Sequence, residues 1–131
     1  MEVAKDLSNR GAKVLLLCRN VSKAQEIRQI MLSNDENLVK IYQIDLSSLK
    51  SVKKCAQEIL KQEPKIDYFV QNAGIMMCPY QLTEDKIELQ FASNYLGHFL
   101  MTELLLPLLK KTAQNVPVRI VITSSIAHKV I

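Results

Sequence analysis

The chain has 131 residues, enough for one domain with a real core, because a folded chain of about 150 residues hides roughly 70% of its unfolded surface. Hydrophobic residues make up 48% and charged residues 23%, ordinary values for a globular protein that exclude a disordered or low-complexity chain. The net charge of +4 comes from 17 basic and 13 acidic side chains spread along the sequence, with no basic stripe or nucleic-acid module, so no nucleic-acid partner is expected.

The chain opens in a helix: "EVAKDLSNR" places Val3, Ala4 and Leu7 on one face, and Gly11 marks its stop. "AKVLLLCRN" then predicts a strand over 13–18, whose unbroken apolar run suits burial on both faces. Ser22 and Gln25 have capping-box spacing, and Ala24, Ile27, Ile30 and Met31 recur at helical intervals to about Ser33. "LVKIYQI" predicts a strand at 38–44. After Asp45 and Leu46, Ser47 or Ser48 can cap a helix whose apolar face is Val52, Ala56, Ile59 and Leu60.

"IDYFV" is the next strand, and it ends in Gln71, Asn72, Ala73 and Gly74, small and amide residues where an apolar run stops. Thr83, followed by Glu84 and Asp85, reads as an N-cap with acidic residues in the first turn. From there the pattern is helical to about Lys111, broken or bent near Asn94 to Gly97, with Pro107 kinking the last turns or lying close to their end. "VRIVITSS" supplies a last strand at 118–124. Strands and helices alternate throughout, which argues for one α/β unit with a parallel, doubly wound sheet.

Cys18, Cys55 and Cys78 are odd in number and widely spaced, the usage of reduced cytosolic thiols rather than of a disulfide frame or zinc site. No apolar run approaches the roughly 18 residues of a membrane helix, so no membrane span is expected in this chain.

In a parallel sheet the strand tips share one edge, where open α/β sheets bind their ligands. Those tips carry Arg19 and Asn20, Asp45 and Leu46, Asn72 to Gly74, and Thr123 to Ser125. Each alone has a plainer reading. Arg19 can be a solvated loop cation, Asp45 a turn residue, Asn72-Ala73-Gly74 an ordinary turn, and Ser124-Ser125 a cap for the next element.

The combination resembles the short-chain dehydrogenase/reductase family, in its retinol dehydrogenase-like branch. The resemblance is carried by "CRN" at 18–20, "DLSS" at 45–48, "NAGIMMCPY" at 72–80, "NYLGHFLMTELLLPLL" at 94–109 and "RIVITSS" at 119–125. It implies that Asn72, Ala73 and Gly74 let the backbone approach a dinucleotide, that Asp45 binds the adenine ring and that Leu46 adds a main-chain contact. Asn94 matches an asparagine that interrupts a helix and holds a water in a proton relay. Ser125 matches the serine that hydrogen-bonds the substrate oxygen, with Thr123 and Ser124 beside it at the cofactor. NAD enzymes usually carry an acidic residue after the second strand; Cys18-Arg19 suits a 2'-phosphate, so NADP(H) is the expected cofactor. His98 and His128 are assigned structural roles, and no metal is expected.

The family's Gly-rich phosphate turn and first strand precede the match to "MEVAKDL", and its catalytic Tyr-x-x-x-Lys follows Ser125. None of Tyr42, Tyr68, Tyr80 and Tyr95 has a lysine four residues later. The expected fold is therefore α/β, a partial Rossmann-type doubly wound parallel sheet over 1–131, truncated at both ends and lacking its first, central strand. Such a chain alone should be marginally stable. The resemblance implies an oxidoreductase interconverting a hydrophobic carbonyl and alcohol, a homodimer through the long helices, and a place in the cytoplasm or at the cytosolic face of a membrane. The rival from another class is an inactive fragment that binds or interferes with a dimer; a nucleotide-sugar epimerase fits "NAGIMMCPY" less well.

Overall fold

A computed structural model describes residues 2–31 and 38–129. The chain divides into two compact units, Met1–Asp45 and Leu46–Ile131. Each is built on one pair of parallel strands.

In the first unit helix α1 (Glu2–Asn9) leads to strand β1 (Val14–Cys18), helix α2 (Val21–Met31) and strand β2 (Val39–Gln43). Gly11 takes φ 81°, a left-handed conformation that costs a residue without a Cβ little, and its N–H and that of Ala12 bond to the carbonyls of Ser8 and Leu7. This is the predicted helix stop. β1 pairs with β2 in register Val14 to Val39 through Cys18 to Gln43. Val14, Met31 and Val39 form one core cluster, with Ala4, Leu7, Leu16 and Ile27 packed against it, and Ala24, Tyr42 and Ile44 are buried as well. Val3 and Ile30, expected on the buried faces, are exposed. The cap of α2 is Asn20, whose Oδ1 accepts from Lys23 N at 2.9 Å, rather than Ser22, which lies inside the helix. The sequence limit of this helix at Ser33 lies outside the described residues.

The second unit holds helix α3 (Leu49–Gln62), strand β3 (Tyr68–Gln71), a helical turn α4 (Leu89–Phe91), helix α5 (Gly97–Ala113) and strand β4 (Arg119–Ile122), then a 3-10 turn at Ile126–Lys129. Ser48 caps α3, accepting from Ser51 N at 3.2 Å. α3 buries Val52, Cys55, Ala56 and Ile59, while Leu60 is left exposed. α5 buries Met101, Leu105, Leu108 and Leu109, and the two helices pack together. Pro107 lies inside α5, which runs on to Ala113. Ile66 N donates to Thr112 Oγ1 at 3.2 Å, tying the approach to β3 to the end of α5. β3 pairs with β4 in parallel from Tyr68 and Arg119 to Gln71 and Ile122.

Between α4 and α5, Ala92–Leu96 forms a π-helical segment. A π turn closes i→i+5 rings and marks functional positions in many helices. The break expected near Asn94 to Gly97 is therefore this widened turn.

The start of the same helix differs from expectation. Thr83 does not begin it: Lys86 N bonds to Thr83 O at 2.9 Å, Thr83 N to Ile87 O at 2.8 Å, and Lys86 takes φ 60°, which no right-handed helix contains. The helix begins at Leu89, capped by Glu88. Two separate parallel pairs, β1–β2 and β3–β4, with helices between their strands make a partial Rossmann-type α/β arrangement.

Candidate functional site

The strand tips come together within each unit. In the first, Ile44 N donates to Cys18 O at 3.1 Å, so the segment entering Asp45 runs beside the one entering Arg19. Arg19 and Asn20 are exposed and Asp45 is half-buried. Cys18 donates to Asn20 O at 3.8 Å, and partial burial pushes its thiol above the usual range, so it stays neutral and poorly nucleophilic at neutral pH. In the second unit Thr123 N donates to Gln71 O at 3.0 Å and its hydroxyl to Asn72 Oδ1 at 3.3 Å, joining the tips of β3 and β4.

Behind the β3 tip stands a polar stripe on the long helix. Asn94, His98 and Thr102 recur every four residues, so they share one face. Asn94 accepts from Ile75 N at 2.8 Å through Oδ1 and donates to Ile75 O at 2.7 Å through Nδ2, a two-way pairing with a single residue's main chain. His98 Nε2 lies 2.8 Å from Ala73 O. The carbonyl can only accept, so Nε2 carries the proton. Thr102 donates to His98 O at 2.8 Å and receives the side-chain amide of Gln71, which is buried. Residues 71–75 are thus held from the helix at three successive levels.

The turn between this loop and α4 reaches α3. Asp85 Oδ2 accepts from Leu49 N at 2.9 Å and Glu84 receives the Ser48 hydroxyl, so the two carboxylates sit at the positive end of α3 rather than at their own helix. Glu88 accepts from Gln90 N at 2.9 Å and Phe91 N at 2.8 Å, and these bonds hold its carboxyl below the usual range. Gly97 lies against Leu46: a Cβ there would be 2.4 Å from Leu46 O.

Of the residues singled out in the sequence, Asn72, Ala73, Gly74, Thr123 and Asn94 are gathered around the β3 tip. Ser124 and Ser125 are exposed just beyond β4, with His128 N bonding to Ser125 O at 3.3 Å. Leu46 lies against the start of α5, and Arg19 and Asp45 belong to the first unit. Sequence reasoning missed Gln71, Ile75 and Thr102, and gave His98 only a structural part. The four-residue recurrence of Asn, His and Thr in "NYLGHFLMTELLL" was the available signal.

Among the described residues no helix is long and apolar enough to cross a membrane. Parallel strands with helical crossings, small and amide residues at one tip and a helix bent at an asparagine beside it define a Rossmann-type protein of the dehydrogenase kind. The short chain dehydrogenase family model matches residues 1–130, and the chain belongs to that family. Within it the chain is retinol dehydrogenase-like: it is 42% identical over 128 residues to retinol dehydrogenase 13 of Mus musculus, covering 97% of this chain and 37% of that protein. A crystal structure of an uncharacterised protein from Mycobacterium Paratuberculosis matches with a TM-score of 0.81 at 36% identity, over 97% of this chain and 42% of that one. An alcohol dehydrogenase from the archaeon Thermococcus sibiricus, complexed with 5-hydroxy-NADP, shares the fold with a TM-score of 0.71 at 24% identity, over 85% of this chain and 48% of that one. The chain spans less than half the length of each of these relatives.

Proposed function

We propose that these residues are part of an NADP(H)-dependent oxidoreductase that interconverts a hydrophobic carbonyl and its alcohol. The observation that carries this reading is the Asn72–Gly74 loop at the tip of β3, held by His98 at Ala73 and by Asn94 at the adjoining Ile75, beside Thr123. The residues fit a dinucleotide: positions 72–74 are exposed, and the side chains at 73 and 74 add no more than a methyl group, so a ligand can lie against the main chain. When bound, the cofactor supplies or accepts the hydride. Asp45 and Leu46 bind its adenine end, and Arg19 pairs with a 2'-phosphate as an exposed guanidinium. Ser124 lies beside the cofactor, and Ser125 donates a hydrogen bond to the substrate oxygen. The residues 1–131 are then a partial dinucleotide-binding domain, and the hydrophobic character of the substrate follows the retinol dehydrogenase relatives.

Titrating the full-length protein with NADPH and NADH tests this. Arg19→Leu should weaken NADPH binding about tenfold and leave NADH within about threefold. Equal effects on both nucleotides would remove the 2'-phosphate assignment, and no binding of either to the parent would remove the oxidoreductase reading.

A second reading concerns assembly. Phe91, Tyr95 and Phe99 stack in series, with ring centroids 5.3 and 6.2 Å apart, and all three are about half exposed. This aromatic stripe favours a homodimer through the long helix, or capture of a partner by an inactive chain. Sedimentation at micromolar concentration distinguishes a dimer from a monomer. A location on the cytosolic side of a membrane or in the cytoplasm is part of the same proposal.

A further inference from the structure

The hold on residues 71–75 is not uniform. Asn94 takes both main-chain groups of Ile75, and the β3–β4 pair takes Gln71 O through Thr123 N. Between these anchors lies the Ala73–Gly74 peptide, and its bond to the helix stripe comes from one imidazole, at 2.8 Å.

A peptide unit is planar, and in its trans form the C=O and the following N–H point in opposite directions. Fixing the Ala73 carbonyl therefore fixes the Gly74 N–H. Gly74, lacking a Cβ, leaves that peptide free to rotate through angles closed to other residues, so an outside constraint on the carbonyl matters more here than at Ile75. His98 is itself constrained: its carbonyl receives the Thr102 hydroxyl, and Thr102 receives the amide of the buried Gln71.

We propose that His98 is a positioning residue for the dinucleotide, its Nε2–H holding the Ala73 carbonyl and so directing the Gly74 N–H towards an oxygen of the bound cofactor. The proposal rests on the reading of residues 72–74 as a cofactor-binding loop. It makes the imidazole a fixed donor rather than an acid or base, and it requires the tautomer protonated on Nε2.

Two features separate this from a packing role. A glutamine at 98 can place a side-chain N–H close to the position of imidazole Nε2, whereas a leucine fills similar volume with no donor. In the full-length protein, His98→Leu should weaken NADPH binding about tenfold, and His98→Gln should stay within about threefold of the parent. The side-chain nitrogens of the 15N-labelled parent, read by long-range proton correlation, should show Nε2 protonated and Nδ1 bare.

Leucine binding NADPH as well as the parent, or glutamine failing as badly as leucine, overturns the positioning role while leaving the cofactor reading intact. A parent that binds neither NADPH nor NADH overturns the cofactor reading itself. If both variants fail to fold, the tautomer of the parent decides: a proton on Nδ1 with Nε2 bare is incompatible with donation to Ala73 and ends the proposal.

Discussion

Lys86 stands where a glycine would be at ease. Its φ of 60° lies in the left-handed region, which costs a residue with a Cβ roughly 1 kcal/mol or more, and the turn that imposes it is closed by bonds from Lys86 N to Thr83 O and from Thr83 N to Ile87 O. Lys86→Gly removes that cost but adds freedom to the unfolded chain, so the net gain should be about 0.5–1 kcal/mol. A urea midpoint shifted upward with an unchanged slope is the expected result; a downward shift would mean the turn does not hold this geometry in solution. Gly97 presents the opposite case. Alanine has the better helix propensity by about 1 kcal/mol, but its methyl group would lie 2.4 Å from Leu46 O, a main-chain atom that no rotamer change can move. Overpacking of about 1–3 kcal/mol opposes that gain, so Gly97→Ala should destabilise by up to about 2 kcal/mol in the same assay. A stability gain would show that the Leu46 segment yields.

At the scale of elements, the start of the long helix depends on a charge. Glu88 accepts the N–H groups of Gln90 and Phe91, which favours its ionised form and lowers its pKa. A carboxyl with a lowered folded pKa stabilises the protein above its unfolded value, and the contribution disappears as pH falls through the folded one. Glu88→Ala should therefore be less stable than the parent near pH 7, and the gap should close as pH falls below the ordinary glutamate range. Urea curves across that range check this, and a gap independent of pH would show that the carboxylate charge has no part in the cap. Sequence pattern located each described strand to within a residue or two, because apolar runs such as "VLLLC" and the "IVI" of β4 have few alternatives, and it placed the helix break near Asn94 to Gly97. It misplaced the caps of α2 and of the long helix. A capping pattern such as Thr83-Glu84-Asp85 is local, whereas the partner of Asp85 is Leu49 N, 36 residues away, and nothing in the local sequence announces such a pairing. The three-level clasp on residues 71–75 was hidden for the same reason, since a polar residue in an apolar helix shows that a partner exists without showing which.

For the molecule as a whole, the two units have unequal foundations. The first buries Val14, Ala24, Met31, Val39, Tyr42 and Ile44 around a two-stranded parallel sheet. In the second, α3 and α5 bury Val52, Cys55, Ala56 and Ile59 and Met101, Leu105, Leu108 and Leu109. Full burial of one large aliphatic side chain contributes about 1.5–3 kcal/mol, so the helical pair should remain closed when the smaller core has opened. A two-stranded parallel sheet adds little independent stability, because each strand leaves one edge of main-chain donors and acceptors for water. Hydrogen exchange of the 131-residue chain should accordingly protect α3 and α5 at least about tenfold more strongly than β1 and β2. Mild denaturant should level the protection of β1 and β2 first, through an opening that leaves α3 and α5 folded. Equal protection throughout, lost in a single step, would make the two units one cooperative body, and the stability of the smaller core would then have to come from the larger.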